Sequence, residues 1–499
     1  MNARTAGGLP GGQQAIMNPR TSRVFVSLFA SLLWIGQFAT AQDNAAASQI
    51  RHVVIIFQEN RTPDNLFQDP VLIRRGADIS SVGVNSKGKI IALKPTSLVQ
   101  NYDLSHTHAS FLAQYDNGKM DGADKIVLTC AANAVNCPCS HYATAHNLSC
   151  PLSNPQFYYV DPAEVKPYFT MAETYTFGDR MFQNNQGPSF PAHQYIISGT
   201  STMGTNAPSG NAKLYIAENL PTGGVGGLKG LAGCAAPSNA LVKLIDISNP
   251  NSLTNETQSA YPCAEHQTLM DLLDNKKISW KYYAPGPTSI WTAPNAIEHL
   301  CGPNAKIPHA TACTGLDWTN NVIQPKYTQI LTDISSGNLA DVSWVIPGGA
   351  TSDHAVATDG TGPAWVASVV NAIGNSPYWG DTAIIVTWDD WGGWYDHVVP
   401  SLVAHNSNEQ GFRVPLIVIS PYVRAGYVSH VNHDFGSILK FIENTYGLPS
   451  LGYADSKADD LSDCFDFAQK PLVFKTIPAA LPASHFINDT TAPTDPDDD

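Results

Sequence analysis

Short apolar runs alternate with segments of helical periodicity along most of the chain. His52–Phe57 and Thr382–Val386 are rich in β-branched residues and bounded by polar ones, which predicts buried strands. Val414–Ser420 predicts a further strand. Asp434 is the predicted N-cap of a helix whose apolar positions follow helical spacing, and Gly447 is predicted to end it. Strands and helices that alternate in this way predict an α/β fold built on a large, mostly parallel sheet.

Polar side chains follow two of these predicted strands directly. Glu59 and Asn60 come just after the first strand. Asp389 and Asp390 come just after the run that ends at Val386. Carboxylates at the end of a core strand are costly to bury unless they bind a cation or a partner, and α/β sheets place their ligands at such ends. If the two strands are neighbours, these carboxylate and amide oxygens converge on one divalent metal ion. A loop of solvated acidic residues is the alternative.

Five short motifs occur in an order that resembles a known family. They are Glu-Asn-Arg-Thr-Pro-Asp-Asn (59–65), Gly-Lys-Met-Asp-Gly (118–122), Gly-Pro-Ser (187–189), Ser-Asp-His (352–354) and Trp-Asp-Asp-Trp-Gly-Gly-Trp-Tyr-Asp-His (388–397). From about His52 to Pro449, the chain is similar to the bacterial phosphoesterases that include phosphatidylcholine-type phospholipases C and a respiratory-burst-inhibiting acid phosphatase. The resemblance implies a fold like that of alkaline phosphatase, with helices on both faces of the sheet.

Ser189 is the candidate nucleophile. The Gly-Pro turn before it fixes the backbone and predicts a hydroxyl at the N-terminus of a helix, where backbone N–H groups favour a phosphate. Taken alone, a serine in this context is typical of a turn. The resemblance implies that Ser189 takes up the phosphoryl group and joins the four strand-end residues around the metal. Phospholipase-type members tend to carry Thr at this position, so the serine favours the phosphatase branch.

Histidines are the candidates for proton transfer and phosphate binding, because their pKa suits proton transfer near neutrality. The resemblance implies that His354 protonates the leaving group or contacts the phosphate. It implies a similar role for His106, which precedes Met120 by fourteen residues. His108 competes with His106 for that role, and His299 matches the family pattern more loosely.

Other motif positions are expected to support the site or to depart from the family pattern. Asp396 and His397 are interpreted as a brace for the metal loop. Pro63 replaces an aromatic residue, and Ala123 stands where an aromatic residue is common. Asp390 stands where Glu is usual, and its shorter side chain keeps the oxygen donor. None of these three departures removes a catalytic group.

With 43% hydrophobic and 14% charged residues, the 499-residue chain has the composition of a globular protein. We expect residues 42–484 to form a single α/β phosphoesterase domain. Loop-rich insertions that carry disulfides are predicted at about 129–153 and 201–262. Residues 485–499 are predicted to form a disordered acidic tail.

Residues 1–41 are predicted to be a secretory signal peptide, because two arginines precede the apolar run Val24–Ile35 and Ala39-Thr-Ala41 offers a cleavage site. An uncleaved membrane anchor is the alternative, although the run is short for a span. No integral membrane segment is expected after it, so the mature protein should be secreted or periplasmic. Removing the three arginines of 1–41 leaves 25 basic and 42 acidic residues, which changes the net charge from −14 to about −17. Such a charge argues against a nucleic-acid partner.

All nine cysteines follow the predicted signal peptide, which in an exported protein indicates disulfides and one spare thiol. The first loop-rich insertion also contains histidines, so a zinc knuckle is the alternative for its cysteines: Cys130, Cys137, Cys139 and Cys150. The second loop-rich block is expected to pair its own cysteines, with the connectivity open: Cys234, Cys263, Cys301 and Cys313.

Together these observations predict an exported, metal-dependent phosphoesterase of acid-phosphatase type that works through a phosphoseryl intermediate. A phospholipase C that cleaves phosphatidylcholine-like lipids is the alternative, so the expected partner is a small phosphate ester or a phospholipid. A non-catalytic surface binding protein on the same fold is a further alternative. One divalent metal ion is expected, with Ca, Mg or Mn favoured by the oxygen donors and Fe or Zn as further options. The oligomeric state is not predicted.

Overall fold

The strands of this protein have a different order in space from their order in the chain. The computed structural model describes residues 49–131, 134, 137–138, 150–207, 215–222, 232–247, 256, 258–401 and 410–494. In these residues the strands are β1 His52–Gln58, β2 Val82–Val84, β3 Ile90–Ala92, β4 Lys94–Thr96, β5 Tyr102–Leu104, β6 Leu128–Cys130, β7 Tyr158–Val160, β8 Thr176–Phe182, β9 Tyr215–Ala217, β10 Val242–Asp246, β11 Gln258–Ala260, β12 Trp280–Tyr283, β13 Val322–Ile323, β14 Val342–Val345, β15 Thr382–Trp388, β16 Arg413–Ile419, β17 Tyr427–Ser429 and β18 His433–Asp434. The α-helices are α1 Pro63–Leu66, α2 Pro70–Arg74, α3 His108–Tyr115, α4 Lys166–Thr174, α5 Ser189–Ser198, α6 Leu269–Lys276, α7 Glu298–Cys301, α8 Leu316–Asn321, α9 Gln329–Ser335, α10 Gly362–Gly374, α11 Phe435–Tyr446 and α12 Ala483–Asn488.

The main sheet has the spatial order β13-β12-β14-β1-β15-β16-β8-β17, and β18 also pairs with β8. The strands from β13 to β15 run parallel to one another. β1 lies between β14 and β15, with Val53 opposite both Val342 and Ala383. Gln58 lies opposite Trp388, so β1 and β15 end side by side. The predicted α/β fold with a large, mostly parallel sheet is confirmed.

β16 departs from the predicted parallel arrangement. It runs antiparallel to both of its neighbours, β15 and β8. A parallel neighbour needs a crossover connection, usually through a helix. The described residues between β15 and β16, 389–401 and 410–412, contain no helix. The expectation that this strand continues the parallel alternation is therefore wrong.

Helices cover both faces at the centre of the sheet. All residues of β15 and β16 are buried, which is typical of strands between two layers. α10 packs against α4, α9 and α12, whereas α11 packs against α5, and α5 packs against α6. α11 begins after the N-cap Asp434, whose side chain accepts a hydrogen bond from Ser437 N. It ends at Gly447 in the left-handed conformation, as the sequence predicts.

The C-terminal segment packs against the core beyond the point that the sequence predicts. Helix α12 spans Ala483–Asn488, and Phe486 is only 2% exposed. The ring of Phe486 lies 5.4 Å from that of Trp365 on α10. The prediction of a disordered tail from residue 485 is therefore wrong for 485–494, because this aromatic side chain anchors the segment. Residues 495–499 lie outside the described residues.

The described residues contain three disulfide bonds: Cys130–Cys137, Cys234–Cys263 and Cys301–Cys313. The prediction that the second loop-rich block pairs its own cysteines is confirmed. Because Cys130 and Cys137 bind each other, the zinc-knuckle alternative is wrong for these two sulfurs. Cys464 is a free, buried thiol.

The predicted signal peptide, 1–41, lies outside the described residues, as do most of 129–153 and parts of 201–262. The proposed domain limits therefore stay a prediction. Among the helices of the described residues, none combines the length and the apolar character that a bilayer span requires.

Replacing Phe486 by Ala should destabilise the protein by about 3–5 kcal/mol, because it removes a buried aromatic side chain. The neighbouring Ile487 is 39% exposed, so Ile487→Ala should change the free energy of unfolding by about 0.5 kcal/mol or less. Denaturant unfolding followed by tryptophan fluorescence measures both values. Equal effects of the two substitutions would show that α12 is not docked as described.

Candidate active site

The ends of β1 and β15 bring the predicted metal-binding residues together. Asp389 N donates a hydrogen bond to Gln58 O (2.9 Å), and Asn60 N donates one to Asp389 Oδ1 (2.8 Å). Glu59, Asp389 and Asp390 have no exposed surface. The two strand ends are therefore neighbours, which is the condition that the sequence analysis sets for a shared metal site.

Asn60 also interlocks with the glycine pair of the loop after β15. Its backbone is left-handed (φ 60°), a conformation that Asn adopts more readily than most residues. A Cβ on Gly392 would lie 2.5 Å from Asn60 O, so this position has room only for glycine. The backbone around Asn60 and the backbone around Gly392 are therefore in direct contact.

Ser189 faces the carboxylates from the start of α5. It is the first residue of the helix, directly after the N-cap Pro188. Its Oγ lies 3.3 Å from Asp390 Oδ2 and 3.5 Å from Glu59 Oε2. The hydroxyl is thus within reach of carboxylates from both strand ends.

The turn before Ser189 is tightly packed. A Cβ on Gly187 would lie 1.9 Å from Glu218 O, which leaves room only for glycine. Gln186 N donates a hydrogen bond to Glu218 Oε2 (2.5 Å). The buried Glu218 therefore fixes the turn that presents the hydroxyl.

His193 belongs to the same group, although the sequence analysis does not identify it. It lies four residues after Ser189, a spacing that places both on one face of α5 and that is the available signal in the sequence. Its Nε2 lies 3.2 Å from Glu59 Oε1. Ligand atoms of Glu59, His193 and Asp389 all lie within 4.8 Å of one another. The donor set therefore includes a nitrogen, unlike the all-oxygen set that the sequence predicts.

Two buried oxygen atoms in this group have no hydrogen-bond partner: Asn60 Oδ1 and Asp389 Oδ2. His106 Nδ1 donates to Leu104 O (2.9 Å), so in the neutral ring Nε2 accepts from Asn60 Nδ2 (3.0 Å). This contact determines which side of the Asn60 amide carries the unpartnered oxygen. Buried carboxylates that converge also need positive charge. The residues present therefore fit a divalent cation.

His106 and His354 lie side by side, with ring centroids 5.9 Å apart. His354 Nδ1 donates a hydrogen bond to Ala355 O (2.6 Å), which leaves Nε2 as the atom that exchanges a proton with other groups. The ring of Trp291 lies 6.2 Å from that of His354. Through the contact of His106 with Asn60, the structure brings both predicted histidines to the strand ends.

Asp353 holds the segment that carries His354. Its Oδ2 accepts hydrogen bonds from Tyr168 OH (2.8 Å) and Trp388 Nε1 (2.9 Å). Arg61 donates to Asp353 O (2.6 Å). Burial raises the pKa of the Asp353 carboxyl to about 6, although Arg61 acts in the opposite direction. This buried residue thus joins the Ser-Asp-His segment to the end of β15.

His299 and His108 take part in other interactions. His299 lies 2.9 Å from Glu265 and 3.1 Å from Asp271. Burial lowers the pKa of His299, but the hydrogen bonds with Asp271 and Glu265 outweigh it and raise the pKa to about 10. His108 lies 3.0 Å from Glu256. His299 therefore pairs with two carboxylates that are not among the residues in contact with Ser189. Its catalytic role stays a prediction.

Asp396 and His397 are joined to a buried arginine beneath the loop after β15. Arg413 Nη2 lies 3.0 Å from Asp396 Oδ2 and 3.3 Å from Asp64 Oδ1. His397 Nδ1 lies 2.7 Å from Asp64 Oδ2. Burial lowers the pKa of His397, but its interactions with Asp64 raise it to about 9. Carboxylates and cationic side chains thus alternate in this network, which supports the interpretation that Asp396 and His397 hold the loop after β15 in place.

Two departures from the family pattern fit their surroundings. Pro63 is the first residue of α1, where a missing backbone N–H leaves no hydrogen bond unmade. Ala123 packs against Leu93, Phe157 and Tyr395, so aromatic rings from other segments fill the space around it.

The fold and this site define an α/β protein in which a buried hydroxyl, carboxylates and a histidine meet at adjacent strand ends. A family model described as "Phosphoesterase family" matches residues 50–449. The chain belongs to the phosphoesterase family, as its motifs predict.

The individual relatives are matched by this chain over only part of their own length. Phospholipase C B of Mycobacterium tuberculosis is 30% identical over 176 residues, which cover 30% of this chain and 34% of the relative. Hemolytic phospholipase C of Pseudomonas aeruginosa is 22% identical over 472 residues, which cover 84% of this chain and 56% of the relative. The chain thus spans about a third to just over half of these relatives. A solved structure described as a protein in the alkaline phosphatase superfamily, from Vibrio parahaemolyticus, is 10% identical with a TM-score of 0.33, covering 82% of this chain and 70% of that one.

Asp389→Asn should remove the stabilisation of the protein by Mn²⁺, because it deletes both a charge and a carboxylate donor from the proposed ligand group. At a Mn²⁺ concentration 100 times the Kd, the unaltered protein should gain about 2.7 kcal/mol. Asp274→Asn is the matched control, since Asp274 is exposed and an amide oxygen can still accept its hydrogen bond from Trp280. Thermal unfolding with and without Mn²⁺ measures the effect. An Asp389→Asn variant that gains as much as the control would contradict the assigned ligands.

The contribution of His299 to stability should depend on pH. Its pKa of about 10 in the folded state lies above the value of about 6.5 for unfolded histidine, so the contribution is full below pH 6.5 and is lost as the pH rises through 10. The side chain is 31% exposed, so the difference between the unaltered protein and His299→Gln should be only about 1 kcal/mol. Urea unfolding at pH 6, 8 and 10 tests this, and a difference that stays constant with pH would argue against these ion pairs.

Proposed function

We propose that this protein is a metal-dependent phosphoesterase whose nucleophile is Ser189. The observation that carries the proposal is the position of Ser189 Oγ, 3.3 Å from Asp390 Oδ2 and 3.5 Å from Glu59 Oε2. Glu59 belongs at the same time to the buried group that fits a divalent cation. Membership in the phosphoesterase family supports the same chemistry.

In the proposed reaction, Ser189 Oγ forms a bond to phosphorus while the bond from phosphorus to the ester oxygen breaks. The hydroxyl proton passes to Asp390 or Glu59, which are both within hydrogen-bonding distance. His354 delivers a proton from Nε2 to the leaving oxygen, since its Nδ1 is engaged with Ala355 O. Water then hydrolyses the phosphoseryl intermediate and restores the hydroxyl.

Six residues of this chain would hold the cation: Glu59, Asn60, Ser189, His193, Asp389 and Asp390. A divalent ion bound there would supply positive charge for the phosphate oxygens and lower the pKa of the hydroxyl. His193 adds a nitrogen donor, which favours Mn, Fe or Zn over Ca or Mg.

For the substrate we propose a phosphomonoester, because Ser189 matches the acid-phosphatase branch of the family that the chain resembles. Phospholipase C activity on phosphatidylcholine-like lipids is the second candidate, and the names of the relatives support it. Export to a secreted or periplasmic location is part of the same proposal, and it is supported by the three disulfide bonds.

Ser189→Ala should lower the hydrolysis of para-nitrophenyl phosphate about a thousandfold or more, because it removes the nucleophile. Acid quenching during turnover of phosphorus-labelled substrate should leave label on the unaltered protein and none on the variant. Ser198→Ala, on the same helix, is the matched control, since that hydroxyl donates to Gln194 O. A variant that keeps its activity, or an unaltered protein that is active but never labelled, would overturn the phosphoseryl route.

The substrate class should follow from the ratio of kcat/KM for para-nitrophenyl phosphate to that for para-nitrophenyl phosphorylcholine. A phosphomonoesterase should favour the first compound at least tenfold, because a monoester presents a terminal dianion to the cation and the histidines. A ratio below one would support phospholipase C activity instead. Asp389→Asn should be inactive on both compounds.

A further inference from the structure

A second group of metal-binding side chains lies at the β17 end of the main sheet. We call it the His433 cluster, and it consists of His433, Asp463 and Cys464 together with Ser429 and Asp459. Ser429 ends β17, His433 begins β18, and Asp463 and Cys464 lie in a short 3-10 turn. The cluster shares no residue with the candidate active site.

Two of the three donor separations in the cluster match those of a tetrahedral metal site. His433 Nε2 lies 3.5 Å from Asp463 Oδ1, and Cys464 Sγ lies 3.6 Å from the same oxygen. One donor atom from each of the three residues lies within 4.8 Å of the other two. Around a tetrahedral ion with bonds of about 2.0–2.3 Å, neighbouring donors lie roughly 3.3–3.8 Å apart. The two measured separations fall in that range.

Asp459 orients the histidine of the cluster. Its Oδ2 lies 2.8 Å from His433 Nδ1, so Nε2 is the ring atom that faces Asp463. A carboxylate on the far nitrogen is the usual partner of a histidine that binds a metal. Ser429 Oγ lies 2.9 Å from His433 Nε2 and donates to Asp463 Oδ2 (2.5 Å). It therefore places a further oxygen donor beside the histidine and the carboxylate.

Cys464 distinguishes the cluster from an ordinary hydrogen-bond network. A thiol is a weak hydrogen-bond donor and contributes little to such a network. Cys464 packs into the main hydrophobic core beside this network, and it is free, whereas the other cysteines in the described part of the chain are in disulfides.

We propose that the His433 cluster binds one Zn²⁺, with His433 Nε2, an Asp463 carboxylate oxygen and Cys464 Sγ as ligands. The combination of nitrogen, oxygen and sulfur donors selects zinc over Mg or Ca. On binding, the Cys464 thiol and the His433 Nε2–H group, which donates to Ser429 Oγ, each release a proton to solvent, and the sulfur and the nitrogen bond to the ion. The ion fastens the turn that carries Asp463 and Cys464 to the strands that carry Ser429 and His433.

The test uses the full-length protein, stripped of metal by a chelator and kept free of reductant so that its disulfides remain intact. Titration with Co²⁺ should produce the near-ultraviolet charge-transfer band of a cobalt–thiolate bond. Cys464→Ser should abolish the band, and Asp459→Asn should keep the band but weaken the affinity for Co²⁺ about 10- to 100-fold. Asp389→Asn, in the candidate active site, should leave the band unchanged, which separates the two sites.

Two results overturn the proposal: no thiolate band at saturating Co²⁺, or a band that persists in Cys464→Ser. If circular dichroism shows that Cys464→Ser does not fold, X-ray absorption of the zinc-loaded unaltered protein decides instead. Sulfur scattering at about 2.3 Å from zinc supports the site. Its absence overturns the proposal.

Discussion

Like charges buried at the ends of two neighbouring strands are the constraint on which the site depends. Parallel pairing of β1 with β15 places Glu59 and Asp389 side by side, and both are fully buried. Without compensation, such a pair of carboxylates would strongly destabilise the fold. The surrounding elements answer part of this constraint, because α5 brings the ring of His193 and the hydroxyl of Ser189 to Glu59 as hydrogen-bonding groups. The cation site and the nucleophile that we propose therefore follow from one electrostatic requirement.

Buried carboxylates are compensated in a different way beneath the loop after β15. There, Asp64 and Asp396 are also fully buried, but the guanidinium of Arg413 lies between them. A resident side chain supplies permanent charge in that network, which suits a brace. In the candidate active site the compensation that we propose is a divalent ion, which a substrate can share, while His193 contacts Glu59 there. The two clusters of carboxylates thus differ in where their positive charge comes from: a resident arginine in the first, and a divalent ion in our proposal for the second.

The sequence predicts the parts of this structure that depend on local pattern. The apolar runs that become β1 and β15, the N-cap at Asp434 and the hydroxyl of Ser189 at a helix start are all visible in it. Features that depend on tertiary context are not visible. The direction of β16 depends on how the chain returns to the sheet, and the position of Phe486 depends on a partner more than a hundred residues earlier. His193 is missed because an i, i+4 spacing is common in any helix and gains meaning only from Glu59 opposite it.

The interlock between Asn60 and Gly392 carries a consequence for how this protein diverges from its relatives. Asn60 has a left-handed backbone, and its carbonyl oxygen lies where a side chain on Gly392 would begin. A bulkier residue at position 392 would therefore push against the backbone that carries Asn60. If Asn60 binds the cation as we propose, selection for that function also acts on the length of this loop and on Gly392, which has no functional group. Across descendants of this chain, the number of residues between Asp390 and the paired glycines should be as invariant as the carboxylates themselves.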